Sequence, residues 1–208
     1  GEPAYGDALT RAAAGDAAYR ERDFVAATAE YQRALDQLQG LEQTLPERID
    51  ALHSELIAAI ESGEVLAAQA RFAALAEMTP TDIRLIALED RLLALPAVIA
   101  ALESASDAET ARDLSAAVAA ARTATGADPE HKRAAARLSE LTAKLTQAQF
   151  TDAMTAGYGA MAGSAFDAAE TAFRKAGRLI PGAPEPTAAL VELDQARTQA
   201  KLLALKDQ

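Results

Sequence analysis

The feature that most restricts what this chain can fold into is a spacing. Gly15, Ala18, Phe24, Ala27, Tyr31 and Ala34 are small or apolar and stand 3, 6, 3, 4 and 3 residues apart. The same ruler fits Leu56, Ala59, Val65, Ala68, Phe72 and Leu75. It fits Ala105, Ala108, Leu114, Ala117, Ala121 and Ala124, and again Gly157, Ala160, Phe166, Ala169, Phe173 and Ala176. The third place is always large and apolar, and the fourth is always alanine. The last four places step 3, 4 and 3, which is one face of a helix. The jump of 6 leaves room for a tight turn. Two antiparallel helices joined that tightly must approach closely, so Gly or Ala belongs where backbones nearly touch and larger side chains fill the gaps beside them. One such pair cannot bury its own apolar face, so pairs stack.

The rest of the sequence agrees with helices. Alanine supplies 55 of the 208 residues, and Leu, Glu, Arg and Gln are frequent. These are strong helix formers. There is no Asn and few β-branched residues, which argues against hairpins and sheets. The expected breaks are Gly40, 45–47 with Pro46, Gly63, 79–81 with Pro80, 126–129 with Pro129, Gly163-Ser164, and 180–184 with Pro181 and Pro184. Asp23, Glu64 and Asp113 each precede an apolar run, where a carboxylate caps a helix start. Three windows are followed by a proline 24 residues after the first ruler place, namely Pro80, Pro129 and Pro181; the first window has Gln39 there. The segment between Pro129 and Gly163 is long enough for a helix near 34 residues, about 50 Å. Pro96 is expected to kink or split the helix that follows Pro80.

On these residues the chain resembles the tetratricopeptide repeat family. The resemblance covers helix pairs at about 8–41, 49–82, 98–131 and 150–183, with 184–208 as a C-terminal helix, either a cap or the start of a further repeat. It implies an all-α chain, one helical-repeat domain of stacked antiparallel pairs, an α-solenoid. The first ruler residues are 41, 49 and 52 apart, longer than the family's usual repeat, so extended and staggered helices are expected. Family members bind ligands on the first helix of each pair. Carried onto this sequence, that face holds Tyr19 and Arg20, then His53, Ile57 and Ile60, then Met154, Tyr158 and Met161. Members that grip a peptide carboxylate use Lys and Asn at set places; here those places hold Ala12, Asp16, His53 and Ile57, so that subclass is not expected.

Nothing in the sequence assembles chemistry. Without Cys there are no disulfides, thiolate metal sites or cysteine nucleophile. Asp50-x-x-His53 has a ligand spacing, but a di-metal bundle needs that motif twice and no second copy exists. Gly157, Gly159 and Gly163 lie in or at the end of a helix rather than after a strand, so they do not make a nucleotide loop. No Ser-His-Asp set is visible, and the carboxylates mix with arginines on solvated faces. No cofactor, no metal and no enzymatic activity are expected. The stripe Phe150, Met154, Tyr158 and Met161 reads either as a soft partner groove or as inter-helix core.

A net charge of −11 opposes binding to nucleic acid or to anionic lipid, and no apolar run is long enough for membrane insertion. Two readings of function remain. The first is a non-enzymatic scaffold for a protein or peptide partner. The second is a structural spacer or homo-oligomerisation element of a larger bacterial envelope protein. The cysteine-free composition and the Gly1 start lean towards a periplasmic or otherwise extracytoplasmic location, with cytoplasm the alternative.

Overall fold

Every ruler place called small for close packing finds a neighbouring helix. In the computed structural model, which describes residues 3–206, eight α-helices follow one another with no strand among the described residues. They are α1 (Pro3–Arg20), α2 (Phe24–Ser62), α3 (Val65–Met78), α4 (Arg84–Thr110), α5 (Leu114–Ala127), α6 (Lys132–Ala162), α7 (Phe166–Leu179) and α8 (Pro184–Lys206). The chain is all-α. Ala27, Ala68, Ala117 and Ala169, the invariant fourth place, are all at most 2% exposed. The helices form two compact units that divide between Leu93 and Ala94, inside α4.

The tight turn is the same in all four pairs. Arg22, Gly63, Arg112 and Ser164 stand seven residues after the first ruler place, with φ of 62°, 86°, 63° and 59°. The next amide bonds back five residues, Asp23 to Ala18, Glu64 to Ala59, Asp113 to Ala108 and Ala165 to Ala160, at 2.9–3.0 Å. These bonds satisfy the carbonyls that the ending helix leaves free. Asp23 and Asp113 then cap the following helix, each accepting the backbone N–H three residues on at 2.9 Å. Glu64 does not: its side chain makes no cap bond, since the extra methylene suits the carboxylate poorly to that reach. The left-handed residue in the fourth turn is Ser164, not Gly163, whose φ is −81°.

A second turn depends on proline. In three pairs the amide 26 residues after the first ruler place bonds to the carbonyl three residues before it. The bonds are Asp82 to Thr79, His131 to Asp128 and Ala183 to Ile180, at 3.0–3.2 Å. Pro80, Pro129 and Pro181 sit second in these four-residue turns, where a fixed φ near −65° fits. The chain then comes back as α4, α6 or α8. The first pair has Gln39 at the equivalent place, and no turn forms. The expected break between 41 and 49 is absent: α2 runs 39 residues through Gly40 and Pro46 without stopping. It serves as second helix for α1 and first helix for α3. Pro96 likewise does not split α4, which is continuous over 27 residues. A proline removes one hydrogen bond from a helix, but it does not turn the chain unless tertiary packing rewards the turn.

In the second unit the returning helices complete the cores. Leu138, Leu141 and Leu145 of α6 pack with Ala105, Val118 and Ala121, while Ala134 packs with Val98, Ala101 and Ala124. Ala189, Leu190 and Leu193 of α8 pack with Phe166, Ala169 and Phe173. In the first unit the start of α4 docks on α2 with Leu85 and Leu88 buried.

Candidate interaction surface

In the second unit the returning helix covers a stripe on the second helix of the pair, and the same ruler offsets, 9, 13, 16, 20 and 23, mark the equivalent places on α3 and α2. On α3 these places are Val65, Gln69, Phe72, Ala76 and Thr79; on α5, Leu114, Val118, Ala121, Thr125 and Asp128; on α7 and its cap, Phe166, Glu170, Phe173, Gly177 and Ile180. All are at least partly buried except Gln69. On α2 the five places are Phe24, Thr28, Tyr31, Leu35 and Leu38, and all five are exposed. They step 4, 3, 4 and 3, the rhythm of a helix seam.

The stripe on α1 lies beside it. Tyr5, Leu9, Ala12, Asp16 and Tyr19 step by the same rhythm, and Tyr5, Leu9 and Tyr19 are exposed. Two contacts join the stripes on one face of the hairpin. The Tyr31 hydroxyl donates to Asp16 Oδ1 at 2.6 Å, and the rings of Tyr19 and Phe24 meet edge to face with centroids 5.5 Å apart. The bond to Asp16 raises the Tyr31 pKa above its usual value, because the neighbouring carboxylate disfavours a phenolate. The opposite side of the hairpin is polar, with Asp7, Thr10, Arg11, Glu30 and Gln37 around a shallow depression and Arg11 on Glu30 at 3.1 Å. Three of the four tyrosines of the chain, with Phe24, therefore crowd one bare face. Half-exposed rings held this way are the side chains most enriched in protein interfaces.

The residues expected on a binding face separate into surface and interior. Tyr19 lies on the bare hairpin face, with Arg20 exposed beside it in the last turn of α1. Ile57 and Tyr158 are exposed, the latter meeting Phe173 edge to face with ring centroids 5.1 Å apart. Ile60 is fully buried, so the first unit uses it as core rather than as a contact. Met154 and Met161 are partly buried and pack against α7 and α8, and Phe150 is buried beside Ala153 and Ala176. Apart from Tyr158, the stripe Phe150, Met154, Tyr158, Met161 is inter-helix packing.

His53 is also buried. Its Nε2 lies 3.0 Å from Asp82 Oδ2, and Arg84 clasps the same carboxylate through Nε and one terminal nitrogen at 2.8–3.1 Å. Arg84 reaches on to Asp50 at 3.2 Å. The Arg84 side chain, then its backbone N–H, and then His53 hold the Asp82 carboxyl well below the usual carboxylate range. This cluster fixes the start of α4 on α2. It contains the Asp50-x-x-His53 spacing, which serves as a structural clasp; no group of three or more metal-ligating side chains occurs among the described residues.

Sequence reasoning passed over Tyr5, Leu35 and Leu38, and it took Phe24 and Tyr31 only as places of the packing ruler. The signal for the bare face was present at Gln39, where the closing proline is missing. No family model, curated protein or solved structure matches the chain. Among the described residues no helix is long and apolar enough to cross a membrane.

Proposed function

We propose that this chain is a non-enzymatic scaffold of tetratricopeptide-like helix pairs, stacked in the manner of a solenoid, that docks another protein on the bare face of the α1–α2 hairpin. One observation carries the reading: five ruler places on α2 are exposed where their counterparts on three other helices are covered, all but Gln69. An apolar face of this kind, rimmed by polar residues, marks an interaction site. The rings of Tyr5, Tyr19, Phe24 and Tyr31, each about half exposed, offer about 400 Å² of the ~800 Å² per partner that a standard interface buries. Ile57 and Tyr158 are further exposed candidates outside that face.

Photo-crosslinking tests this. A benzoylphenylalanine placed at Tyr31 or Leu35 is expected to give discrete protein adducts in the source cell. The same probe at Thr10 or Gln37, on the polar side, is expected to give none. Adducts of equal yield on both sides, or on neither, reject the docking face.

A further inference from the structure

We infer that the bare face of the α1–α2 hairpin receives the same face of a second copy of this chain, the two hairpins closing into a four-helix bundle. This rests on reading that face as a protein-docking surface and names its occupant. A returning helix of the chain's own kind does not suit the face. Helices α4, α6 and α8 each bring an arginine to an acid of the pair they follow. Arg91 meets Glu61 at 2.7 Å, Arg137 meets Glu109, and Arg197 meets Glu170 at 3.2 Å. By the ruler those three acid places fall on Arg20, Tyr19 and Thr28 of the hairpin, which include no acid and one cation. An incoming arginine would find no partner there and would be repelled by Arg20. Among the ten stripe places of α1 and α2 the one carboxylate, Asp16, already accepts the Tyr31 hydroxyl at 2.6 Å. The face is built for an apolar, uncharged surface.

It is also two helices wide. In the last pair α8 packs on the second helix and leaves Gln147, Thr151 and Tyr158 of the first-helix stripe exposed. Gln147 and Thr151 are polar, as suits places left in water. The ruler sets them level with Tyr5 and Leu9 on α1, which are large, apolar and also exposed. The cover that α1 and α2 lack therefore reaches past the width of one helix. Both stripes of the hairpin step 4, 3, 4 and 3 over 14 residue steps, about 21 Å of helix. Two antiparallel helices with seams of equal length and rhythm make half of a four-helix bundle, and the matching half is another hairpin of the same shape.

The area suffices for a dimer. To the rings' share of about 400 Å², Leu9, Leu35 and Leu38, each 40–52% exposed, add about 200 Å². Two copies together bury about 1,200 Å² of apolar surface, the lower bound of stable interfaces before any polar rim is counted. The face also tolerates itself. A contact between identical faces brings like charges together, but these stripes carry only Asp16, and Arg11 and Glu30 pair on the opposite side of the hairpin. Because the same face is used on both copies, the assembly closes at two.

The test follows the purified full chain by sedimentation velocity over a concentration series. The parent is expected to pass from monomer to dimer and to stop there. Leu9→Asp and Leu35→Asp, at exposed positions, are each expected to weaken dimerisation about a hundredfold or more, because a contact between identical faces suffers every substitution twice. Thr10→Asp, on the polar side, is expected to dimerise like the parent. Circular dichroism confirms that each variant is as helical as the parent. A fluorescent double variant, Leu9→Asp with Leu35→Asp, is expected to stay monomeric when mixed with excess parent. If it joins the parent, the hairpin binds another part of the chain and the inference is overturned. A parent that grows past a dimer, or a dimer that neither aspartate weakens, overturns it too. If the parent is monomeric at every concentration yet crosslinks another protein through Tyr31, the docking face stands and this occupant falls. If neither occurs, both fall.

Discussion

Gly157 and Gly15 hold the same ruler place, but the rings opposite them differ in freedom. A Cβ on Gly157 would lie 2.5 Å from Cδ1 of Phe173 and closer still to the next ring carbon. That ring is fully buried among α6, α7 and α8 and has nowhere to go. A Cβ on Gly15 would lie 2.8 Å from the Tyr31 ring, which is 39% exposed and can swing outward. Alanine gains about 1 kcal/mol over glycine in a helix, whereas overpacking a core costs about 1–3 kcal/mol. Gly157→Ala, whose clash is with a ring that cannot move, is therefore expected to destabilise by a net of up to about 2 kcal/mol, and Gly15→Ala to be near neutral, as read by urea denaturation. Equal losses at both sites would show that the two rings are held alike. The general need for a small residue at this place was readable from spacing. Which ring could yield was not, since that depends on whether a returning helix lies over it, as α8 does over Phe173 and none does over Tyr31 among the described residues.

At the level of elements, α2 is where local signals and structure diverge. Gly40 and Pro46 mark a break in sequence, yet the helix continues. The signals did locate something real. From Gln39 to Arg48 every residue is exposed except Leu41, which is partly covered, so this stretch bridges the part held by α1 and the part held by α3. Pro46 removes the amide that would bond the Glu42 carbonyl, a loss of about 3 kcal/mol in a helix interior, with no tertiary contact to offset it. Amides of residues 42–50 are expected to exchange with solvent faster than those of residues 54–62, where Leu56, Ala59 and Ile60 are buried. Pro46→Ala is expected to slow exchange across 42–50 tenfold or more and leave 54–62 unchanged. Mass-spectrometric hydrogen exchange reads both, and an unchanged 42–50 segment would place the weak point of α2 elsewhere. The four left-handed turns were legible as positions but not as residue types. Arg22, Arg112 and Ser164 take a conformation usually left to glycine, because the double hydrogen bond of that turn outweighs a cost of about 1–2 kcal/mol.

For the whole molecule, stability in stacked helices is a sum over neighbouring interfaces, so damage stays near where it is made. Helix α1 offers a direct trial. Its partner is the first half of α2, through Ala8 and Gly15 against Ala27, Tyr31 and Ala34. Deleting residues 1–22 uncovers Ala27 and Ala34 and strips residues 24–45 of every tertiary neighbour that α1 supplied. A helix held only at its far end, across a proline, frays, because most helical stability in proteins comes from a packed face. The second half of α2 keeps α3 and the Asp82–Arg84–His53 clasp. The shortened chain is therefore expected to lose the ellipticity of α1 and of α2 as far as Pro46, while the main thermal transition of the remainder keeps its midpoint within a few degrees. Loss of helix throughout the chain on this deletion would mean that the hairpin supports more than its own interface, and the additive picture would have to be given up. A retained helix from Phe24 to Pro46 would instead mean that this stretch needs no partner, and the bare face on α2 would lose the energetic reason to seek one.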